Sequence, residues 1–287
     1  MSGRCNICGH AGEFLDVTKD REGYICANCG TSSRHRALVY ALGYYLGFED
    51  NPAMIWETQK NIKVLESSGR SSYPMVFRGK FSYYNTEFDP SRDEMNRPYT
   101  EYADFQKLAY PDNELDIVIA SEVFEHVREH EKGFGEVYRV LKDRGLFLMT
   151  VPYVHEWAET QTRVKVEGDK DIHLLPPEYH GGGGQTLSYR TFGRDVMKRL
   201  RGLGFTVGLL EAKSEELGIL PQFVFLAQKG DYIELKHFVR NARRDLERTR
   251  PKAGPLILFR LFLTLKYNTL SIGHFWREII RKSKDRF

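Results

Sequence analysis

Residues 115–153 read LDIVIASEVFEHVREHEKGFGEVYRVLKDRGLFLMTVPY, and this stretch decides the fold. Asp116–Ala120 is a short apolar run rich in β-branched residues, which predicts a strand buried on both faces of a parallel sheet. Apolar residues then recur at helical spacing over Phe134–Leu141. Leu146–Val151 is predicted to be the next strand. The stretch is therefore predicted to form a right-handed βαβ unit.

Polar residues follow the first of these strands and predict a binding site. Ser121 and Glu122 come directly after the strand, and ligands of such sheets bind outside the carboxyl ends of the strands. The pattern SEVFEHV, followed by EVYRVLKDRGLFLMTVPY, resembles the fourth- and fifth-strand region of class I methyltransferases (type 11-like) that use S-adenosylmethionine (SAM). The resemblance implies a Rossmann-like seven-stranded SAM methyltransferase sheet, with Ser121 and Glu122 beside the cofactor. An ordinary βαβ unit with solvated acids in its loop is the alternative.

The charge is divided unevenly along the 287 residues. Residues 231–287 hold 14 lysines and arginines against six acidic residues, so the preceding part is mildly acidic although the whole chain has a net charge of +3. The N-terminus lacks the apolar run of a signal peptide, and no apolar stretch is long enough to span a bilayer. We expect a cytoplasmic enzyme with α/β architecture, in three parts: a zinc-binding segment with a bracing helix (1–50), a methyltransferase domain (51–230) and a basic helical tail (231–287).

All four cysteines lie within the first thirty residues, in two Cys-x2-Cys pairs: Cys5, Cys8, Cys26 and Cys29. This spacing is typical of two knuckles that bind one tetrahedral Zn²⁺. Four thiolates leave no open coordination position, so the predicted zinc is structural and not catalytic. Disulfides and uncoordinated thiols are the alternatives.

A helix is predicted after the cysteines. Thr31–Ser33 can cap it, and Ala37–Leu46 continues it. The basic run over residues 34–36 has two interpretations. It either binds phosphate at the helix start, or it is solvated or braces the zinc segment.

The first predicted strand of the main sheet, Ile62–Glu66, ends in an acid. The loop after it stands where most SAM methyltransferases have E/D-x-G-x-G, and the resemblance implies cofactor contacts from Glu66, Ser67 and Gly69. The loop departs from that pattern because Ser68 and Arg70 replace the two glycines.

The resemblance also implies contacts to the nucleoside part of the cofactor. Glu87, near the end of the predicted strand Phe81–Phe88, is expected to accept hydrogen bonds from both ribose hydroxyls, as one carboxylate can. An exposed glutamate at a strand end is the alternative. Asp104 is expected to accept from the adenine amino group, and Phe105 to offer its backbone N–H to the ring.

Residues 154–190 form a long insertion after the fifth-strand region, and long loops at strand ends are often functional lids. Pro176–Pro177 stiffens it, and Gly181–Gly184 is a plausible hinge. Its HLLPPEYH segment and the following LSYRTFG resemble segments that recur in sugar- or natural-product-modifying members of the family.

Methyl transfer to an oxygen requires removal of a proton, and histidine is the favoured acceptor. His180 and His155 lie in the insertion, and His126 lies beyond Glu122, so these are the three candidates, with His180 first. A buried structural histidine is the alternative for each. Glu178 can serve instead as the base or help to hold a divalent cation, although the spacing alone does not establish a metal site.

The last part of the sheet is predicted as the helix Arg190–Leu203 and the strands Thr206–Leu210 and Gln222–Ala227, which form the antiparallel edge hairpin and complete seven strands. The tail begins with a predicted charged helix, Tyr232–Arg248. The apolar segment Leu256–Ile280 is expected to dock on its own body or on a twin subunit, or to lie on an anionic membrane surface.

These features predict a SAM-dependent methyltransferase that acts on a hydroxyl of a small molecule. The expected acceptor, and therefore the expected partner, is a carbohydrate or natural product, which can be lipid-linked. An RNA methyltransferase is the first alternative, suggested by the zinc knuckle and basic tail but opposed by the acidic body and the lack of an N-P-P-Y-type motif. A non-catalytic scaffold with a SAM-binding fold is the second, suggested by the irregular loop after Glu66.

Overall fold

The structure is a computed structural model. It describes residues 2–17, 22–49, 51–67, 73–89, 100–180 and 186–230, together with the backbone of Leu261–Leu263.

The N-terminal part consists of a small antiparallel sheet followed by a helix. Its elements are β1 (Ser2–Arg4), β2 (Ala11–Leu15), β3 (Ile25–Cys26) and α1 (Ser33–Leu46), with a 3-10 turn at Ala53–Ile55. Ser32 caps α1, because its hydroxyl accepts from the His35 backbone N–H while the His35 ring accepts from the Ser32 backbone N–H. The predicted helix after the cysteines is confirmed.

The main domain alternates strands and helices. Its first elements are β4 (Gln59–Ser67), α2 (Tyr73–Lys80), β5 (Phe81–Glu87), β6 (Thr100–Tyr102), β7 (Leu115–Ser121), α3 (His130–Val140) and β8 (Leu141–Thr150). The insertion carries the short strands β9 (Gln161–Thr162), β10 (Val164–Glu167), β11 (Lys170–His173), β12 (Tyr179–His180), β13 (Thr186–Leu187) and β14 (Arg190–Thr191). The last elements are α4 (Asp195–Gly202), β15 (Phe205–Ser214), β16 (Ile219–Lys229) and β17 (Leu261–Leu263).

The main sheet has the order β17-β15-β16-β8-β7-β4-β5-β6. Strands β8, β7, β4, β5 and β6 are parallel, whereas β15 and β16 form an antiparallel hairpin next to β8. The seven strands from β15 to β6 form a Rossmann-like sheet, as predicted. The predicted βαβ unit is also confirmed as β7, α3 and β8.

Both faces of the sheet are buried. Successive strand residues point to opposite sides, so each face packs into its own apolar cluster. In β7, Ile117 and Ile119 belong to one apolar cluster with α1, α2 and the N-terminal segment, while Val118 and Ala120 belong to a second cluster with α3 and α4. Cys5 and Phe14 are buried in the first cluster. The N-terminal segment therefore covers one face of the main sheet.

Two predicted boundaries need correction. The helix predicted to begin at Arg190 begins at Asp195, since Arg190 lies in β14 and its guanidinium donates to the carbonyls of Phe124 and Arg128. Within the segment Leu256–Ile280, the three described residues form β17 and not a helix, because the outer strand β15 offers unpaired backbone groups to a further strand.

The rest of the tail, including the predicted helix Tyr232–Arg248, lies outside the described residues. Among the residues that are described, no helix has the length and apolar character needed to cross a membrane.

Candidate active site

The sheet has a topological switch point between β4 and β7. These strands are parallel neighbours, and from them the chain continues in opposite directions, to β5 on one side and to β8 on the other. Ligands of such sheets bind in the crevice at the carboxyl ends of the strands that flank the switch. Ser67 and Ser121 lie at those ends, so the sequence-based site falls at this crevice.

Glu122 has an unusual backbone conformation at this edge. Its φ is 56°, in the left-handed region, and its N–H donates to the Thr150 carbonyl over 2.9 Å. Such a conformation costs a non-glycine residue on the order of 1 kcal/mol and is concentrated at functional sites. The Ser121 and Thr150 hydroxyls lie 3.2 Å apart and link the ends of β7 and β8.

Arg34 brings a positive charge from α1 to the same edge. Its Nη1 donates to the Ser121 hydroxyl, and its Nε donates to Glu22 Oε1 over 2.5 Å. Burial opposes the charge, but attraction from Glu22 and Glu122 outweighs it and raises the pKa of Arg34. The sequence indicated only a basic run here, because nothing in the local pattern shows which residue reaches Ser121.

Glu66 is fully buried at the end of β4. Its carboxylate accepts hydrogen bonds from the Tyr73 hydroxyl and from the Tyr83 hydroxyl, the latter over 2.6 Å. Burial raises the pKa of Glu66 to about 7, although both phenols act in the opposite direction. Two tyrosines therefore fix this carboxylate. Ser67 is buried beside it, and Gly69 lies outside the described residues.

Glu87 and Asp104 occupy neighbouring strand ends. The Glu87 carbonyl accepts from the Ala103 N–H over 3.1 Å, which places the segment with Asp104 next to β5. Asp104 Oδ1 accepts from the Gln106 backbone N–H over 2.8 Å and so shapes the turn. The Phe105 ring packs edge-on against Phe124 in the core, which leaves the backbone of Phe105 as the part that can contact a ligand. The cofactor roles of Glu87, Asp104 and Phe105 remain predictions.

The structure brings together two of the three predicted histidines. The rings of His126 and His180 lie 4.7 Å apart. His155 makes different contacts: its ring stacks on Phe223 at 5.5 Å, and its Nδ1 lies 3.1 Å from the Tyr153 hydroxyl.

Glu125 joins the pair of histidines and was missed by sequence reasoning. It is fully buried, and its Oε1 lies 3.7 Å from His126 Nε2. Burial lowers the pKa of His126 to about 4, so its ring is neutral at pH 7. The signal in the sequence was the Glu-His pair in the loop after a buried strand.

The insertion is built from short two-stranded ribbons and is not an open loop. Asp171 anchors it, because its carboxylate accepts from Arg128 Nε over 2.7 Å and from the Tyr189 hydroxyl over 2.7 Å. Arg190 also ties it to the loop that carries Glu125. The insertion thus lies against the carboxyl edge of β7. The predicted hinge, Gly181–Gly184, lies outside the described residues.

The four cysteine sulfurs form a compact cluster. Sγ of Cys5 lies 3.7 Å from that of Cys29, Sγ of Cys8 lies 3.8 Å from that of Cys26, and all four lie within 4.8 Å of one another. Four sulfurs at about 2.3 Å from one Zn²⁺ form a tetrahedron whose edge is about 3.8 Å. A disulfide would require about 2.05 Å. The geometry fits a tetrahedral metal site.

Arg36 sits beneath this cluster with its side chain fully buried. It donates to the carbonyls of Leu217 and Gly218 over 2.9 and 2.8 Å, and its guanidinium lies 4.3 Å from the Phe14 ring centre. Burial lowers the pKa of Arg36, and the cysteine thiolates oppose that shift. The interpretation of residues 34–36 as solvated is wrong for His35 and Arg36, which are buried. Arg36 braces the segment against the loop between β15 and β16.

A family model matches part of the chain. Residues 26–149 match the model of the methyltransferase domain family, described as "Methyltransferase domain". The matched range runs from the third cysteine to the end of β8. The match therefore covers the parallel strands and the crevice at the switch point.

Two curated relatives align with parts of the chain. Sterol 24-C-methyltransferase erg-4 of Neurospora crassa is 42% identical over 57 residues, which cover 20% of this chain and 14% of that protein. Sterol 24-C-methyltransferase of Yarrowia lipolytica is 28% identical over 132 residues, covering 46% and 32%. The chain thus spans less than a third of the length of these relatives.

Some solved structures are similar to this chain at low sequence identity. An S-adenosylmethionine dependent methyltransferase from Listeria monocytogenes has a TM-score of 0.41 and 12% identity, over 66% of this chain and 99% of that chain. The 1,6-didemethyltoxoflavin-N1-methyltransferase of Burkholderia thailandensis, solved with S-adenosylhomocysteine (SAH), has a TM-score of 0.41 and 15% identity, over 69% and 78%.

Proposed function

We propose that this protein transfers a methyl group from SAM to a hydroxyl group of a small molecule, such as a sugar or another hydroxylated metabolite, free or lipid-linked. The observation that carries the proposal is the common location of two sets of residues. The predicted cofactor residues that the structure describes and the His126–His180 pair lie at or beside the carboxyl ends of the parallel strands, next to the ribbons of the insertion.

The cofactor residues divide into two groups along the crevice. In the proposed complex, Glu87 accepts from the ribose hydroxyls and Asp104 from the adenine amino group. Ser121 and Glu122 lie beside the methionine part of SAM, where Arg34 supplies a charge of opposite sign to a carboxylate. SAM, when bound, supplies an electrophilic methyl group. The protein aligns the acceptor with that group and excludes water.

An alcohol must lose its proton during the transfer. The histidines predicted for this task are His180, His155 and His126, and all three follow carboxyl-terminal strand ends or lie in the insertion. The two curated relatives are named for methylation of a sterol carbon, but they share too little of their length with this chain to assign its acceptor. The insertion, which lies beyond the range of the family match, is proposed to select the acceptor.

Calorimetric titration with SAH tests the cofactor site. We expect Glu87→Ala and Asp104→Ala each to weaken SAH binding by roughly 10-fold, as expected for the loss of a hydrogen-bonded carboxylate. Glu101→Ala, which removes an exposed carboxylate from β6, is the matched control and should bind SAH like the parent protein. Parental affinity in both site variants would mean that the site is misplaced. A parent protein that binds no SAH would support the alternative of a non-catalytic scaffold.

The acceptor class is tested by incubation with SAM labelled in its methyl group. We expect label in hydroxylated small molecules, as base-stable methyl ethers, and none in total RNA. Labelled RNA, together with RNA binding that weakens steeply with salt, would replace this proposal with RNA methylation.

We also propose that Cys5, Cys8, Cys26 and Cys29 bind one structural Zn²⁺. The spacing of their sulfurs and the buried charge of Arg36 support it, because four thiolates around Zn²⁺ carry a net negative charge that a buried guanidinium can balance.

A further inference from the structure

Glu125, His126 and His180 form a second group of potential metal ligands. Among the described histidine, cysteine, aspartate and glutamate residues, only this group and the four cysteines bring ligand atoms from at least three side chains within 4.8 Å of one another. His126 Nε2 lies 3.7 Å from Glu125 Oε1. Neighbouring nitrogen and oxygen donors at about 2.1 Å from one ion lie roughly 3.0 to 3.5 Å apart. The three side chains are therefore close to the arrangement that one ion requires.

The hydrogen bonding of His126 presents the correct nitrogen to the group. Its Nδ1 lies 2.9 Å from the Leu187 carbonyl oxygen, which can only accept, so Nδ1 carries the proton. The lone pair is then on Nε2, which faces Glu125. Metal-binding histidines are characteristically fixed in this way, with the other ring N–H donated to a carbonyl or carboxylate.

The burial of Glu125 also suits a cation site. A fully buried carboxylate keeps a negative charge only where positive charge lies nearby. Arg190 provides part of that charge, but its guanidinium is directed at the backbone, with bonds of 2.8 Å to the Phe124 carbonyl and 2.9 Å to the Arg128 carbonyl. Arg190 therefore fixes the turn that carries Glu125 and His126, and the Glu125 carboxylate lies beside the His126 ring.

We propose that Glu125, His126 and His180 bind one divalent first-row transition-metal ion, since two imidazoles and one carboxylate suit Mn²⁺, Fe²⁺, Co²⁺, Ni²⁺ or Zn²⁺. Three protein ligands leave coordination positions open, and these bind the hydroxyl oxygens of the acceptor. The role toward the acceptor rests on the proposed function, whereas binding of the ion does not. With the ion bound, His126 and His180 are ligands, and His155 is the remaining predicted histidine that can take up the proton.

Titration with Co²⁺ tests the site directly. Protein purified with Zn²⁺ in its cysteine cluster is titrated by calorimetry, and visible absorption is recorded in parallel. Cobalt bound to nitrogen and oxygen gives weak bands, whereas cobalt in the cysteine site gives strong thiolate bands. The variants are His126→Ala, His180→Ala and Glu125→Gln. His173→Ala is the matched control, because it removes an exposed histidine from the same insertion.

We expect the parent protein and His173→Ala to bind one Co²⁺ without thiolate bands. The site variants should bind it at least about 10-fold more weakly. No Co²⁺ binding by the parent protein, or equal binding in all variants, would overturn the proposal. If Glu125→Gln fails to fold by circular dichroism, His180→Ala, on the outer ribbon, still decides the question.

SAH titration of the same samples separates the two proposals. Protein that binds SAH but not Co²⁺ retains the proposed methyl transfer and loses the metal site. Protein that binds Co²⁺ at these residues but not SAH retains the metal site and loses the proposed function.

Discussion

At the scale of single residues, Arg34 is the side chain for which the structure differs most from the interpretation based on sequence. It leaves the first turn of α1 and contacts Ser121, a residue 87 positions further along the chain. Its guanidinium also interacts with Glu22 and Glu122. A fixed guanidinium at the switch point is suited to a carboxylate, because it donates through a planar fork.

We predict that Arg34→Ala weakens SAH binding by roughly 10- to 100-fold, the amount expected for losing a hydrogen bond to a charged group. Arg34→Lys should recover only part of this affinity because it keeps the charge without the fork. Calorimetric titration measures the effect, and Arg4→Ala, at an exposed arginine of the same segment, is the control. Unchanged affinity in Arg34→Ala would limit this arginine to a structural role.

A second prediction at this scale concerns Glu66 and pH. Its pKa in the folded protein is about 7, above the ordinary value of 4.5, because burial favours the neutral form. The contribution of the protonated carboxyl to stability is complete below pH 4.5 and is lost as the pH rises to about 7. Relative to Glu66→Gln, the parent protein should therefore lose about 3 kcal/mol of unfolding free energy between these pH values.

Urea unfolding of both proteins at several pH values between 4 and 8 measures this difference. The comparison with glutamine removes the contributions of all other titrating groups, since the two chains share them. A difference in unfolding free energy that stays constant across this range would show that Glu66 ionises at its ordinary pKa.

At the scale of elements, the insertion between β8 and α4 is the segment that we propose to select the acceptor. Its ribbons β10–β11 and β12–β13 are joined to the loop after β7 through Asp171, Arg190 and the bond from His126 to Leu187. The same insertion supplies His180. Its attachment places that histidine beside His126.

We predict that His180→Ala lowers kcat by about 10²- to 10⁴-fold and leaves SAH affinity nearly unchanged, because the loss falls on the transition state. Steady-state kinetics with an acceptor found by methyl labelling, together with SAH titration, measure the two effects. His173→Ala should retain the parental kcat. An equal loss of SAH binding in His180→Ala would mean that this histidine maintains the fold of the edge.

At the scale of the whole molecule, the cysteine cluster and the proposed cofactor crevice are connected through shared packing. The N-terminal segment shares an apolar cluster with the main sheet, and α1, which directly follows the cysteines, carries both Arg34 and Arg36. Arg36 faces the cysteines, while Arg34 reaches Ser121. Loss of order around the cysteines should therefore change the cofactor site.

We predict one Zn²⁺ per chain, and a coupled loss of SAH affinity when it is removed. Elemental analysis of protein purified without chelator measures the content, and absence of zinc would disprove the site. Chelation, or Cys26→Ser, should lower the melting temperature and weaken SAH binding at the same time.

The coupling is isolated by repeating the chelation with Arg34→Ala. If zinc acts on the cofactor through Arg34, chelation should weaken SAH binding much less in this variant than in the parent protein. An equal further loss in both proteins would mean that zinc removal acts through general unfolding of the segment.

The sequence by itself determined the sheet, the βαβ unit of β7, α3 and β8, and the cysteine quartet. These features depend on the spacing of near neighbours: apolar periodicity, strand-end polar residues and the Cys-x2-Cys pairs. Only the tertiary structure decided that Arg34 donates a hydrogen bond to Ser121 and that Glu125 lies close to His126 and His180. Contacts between distant residues depend on how the faces of the sheet are covered and where the insertion packs, and no local pattern encodes that arrangement.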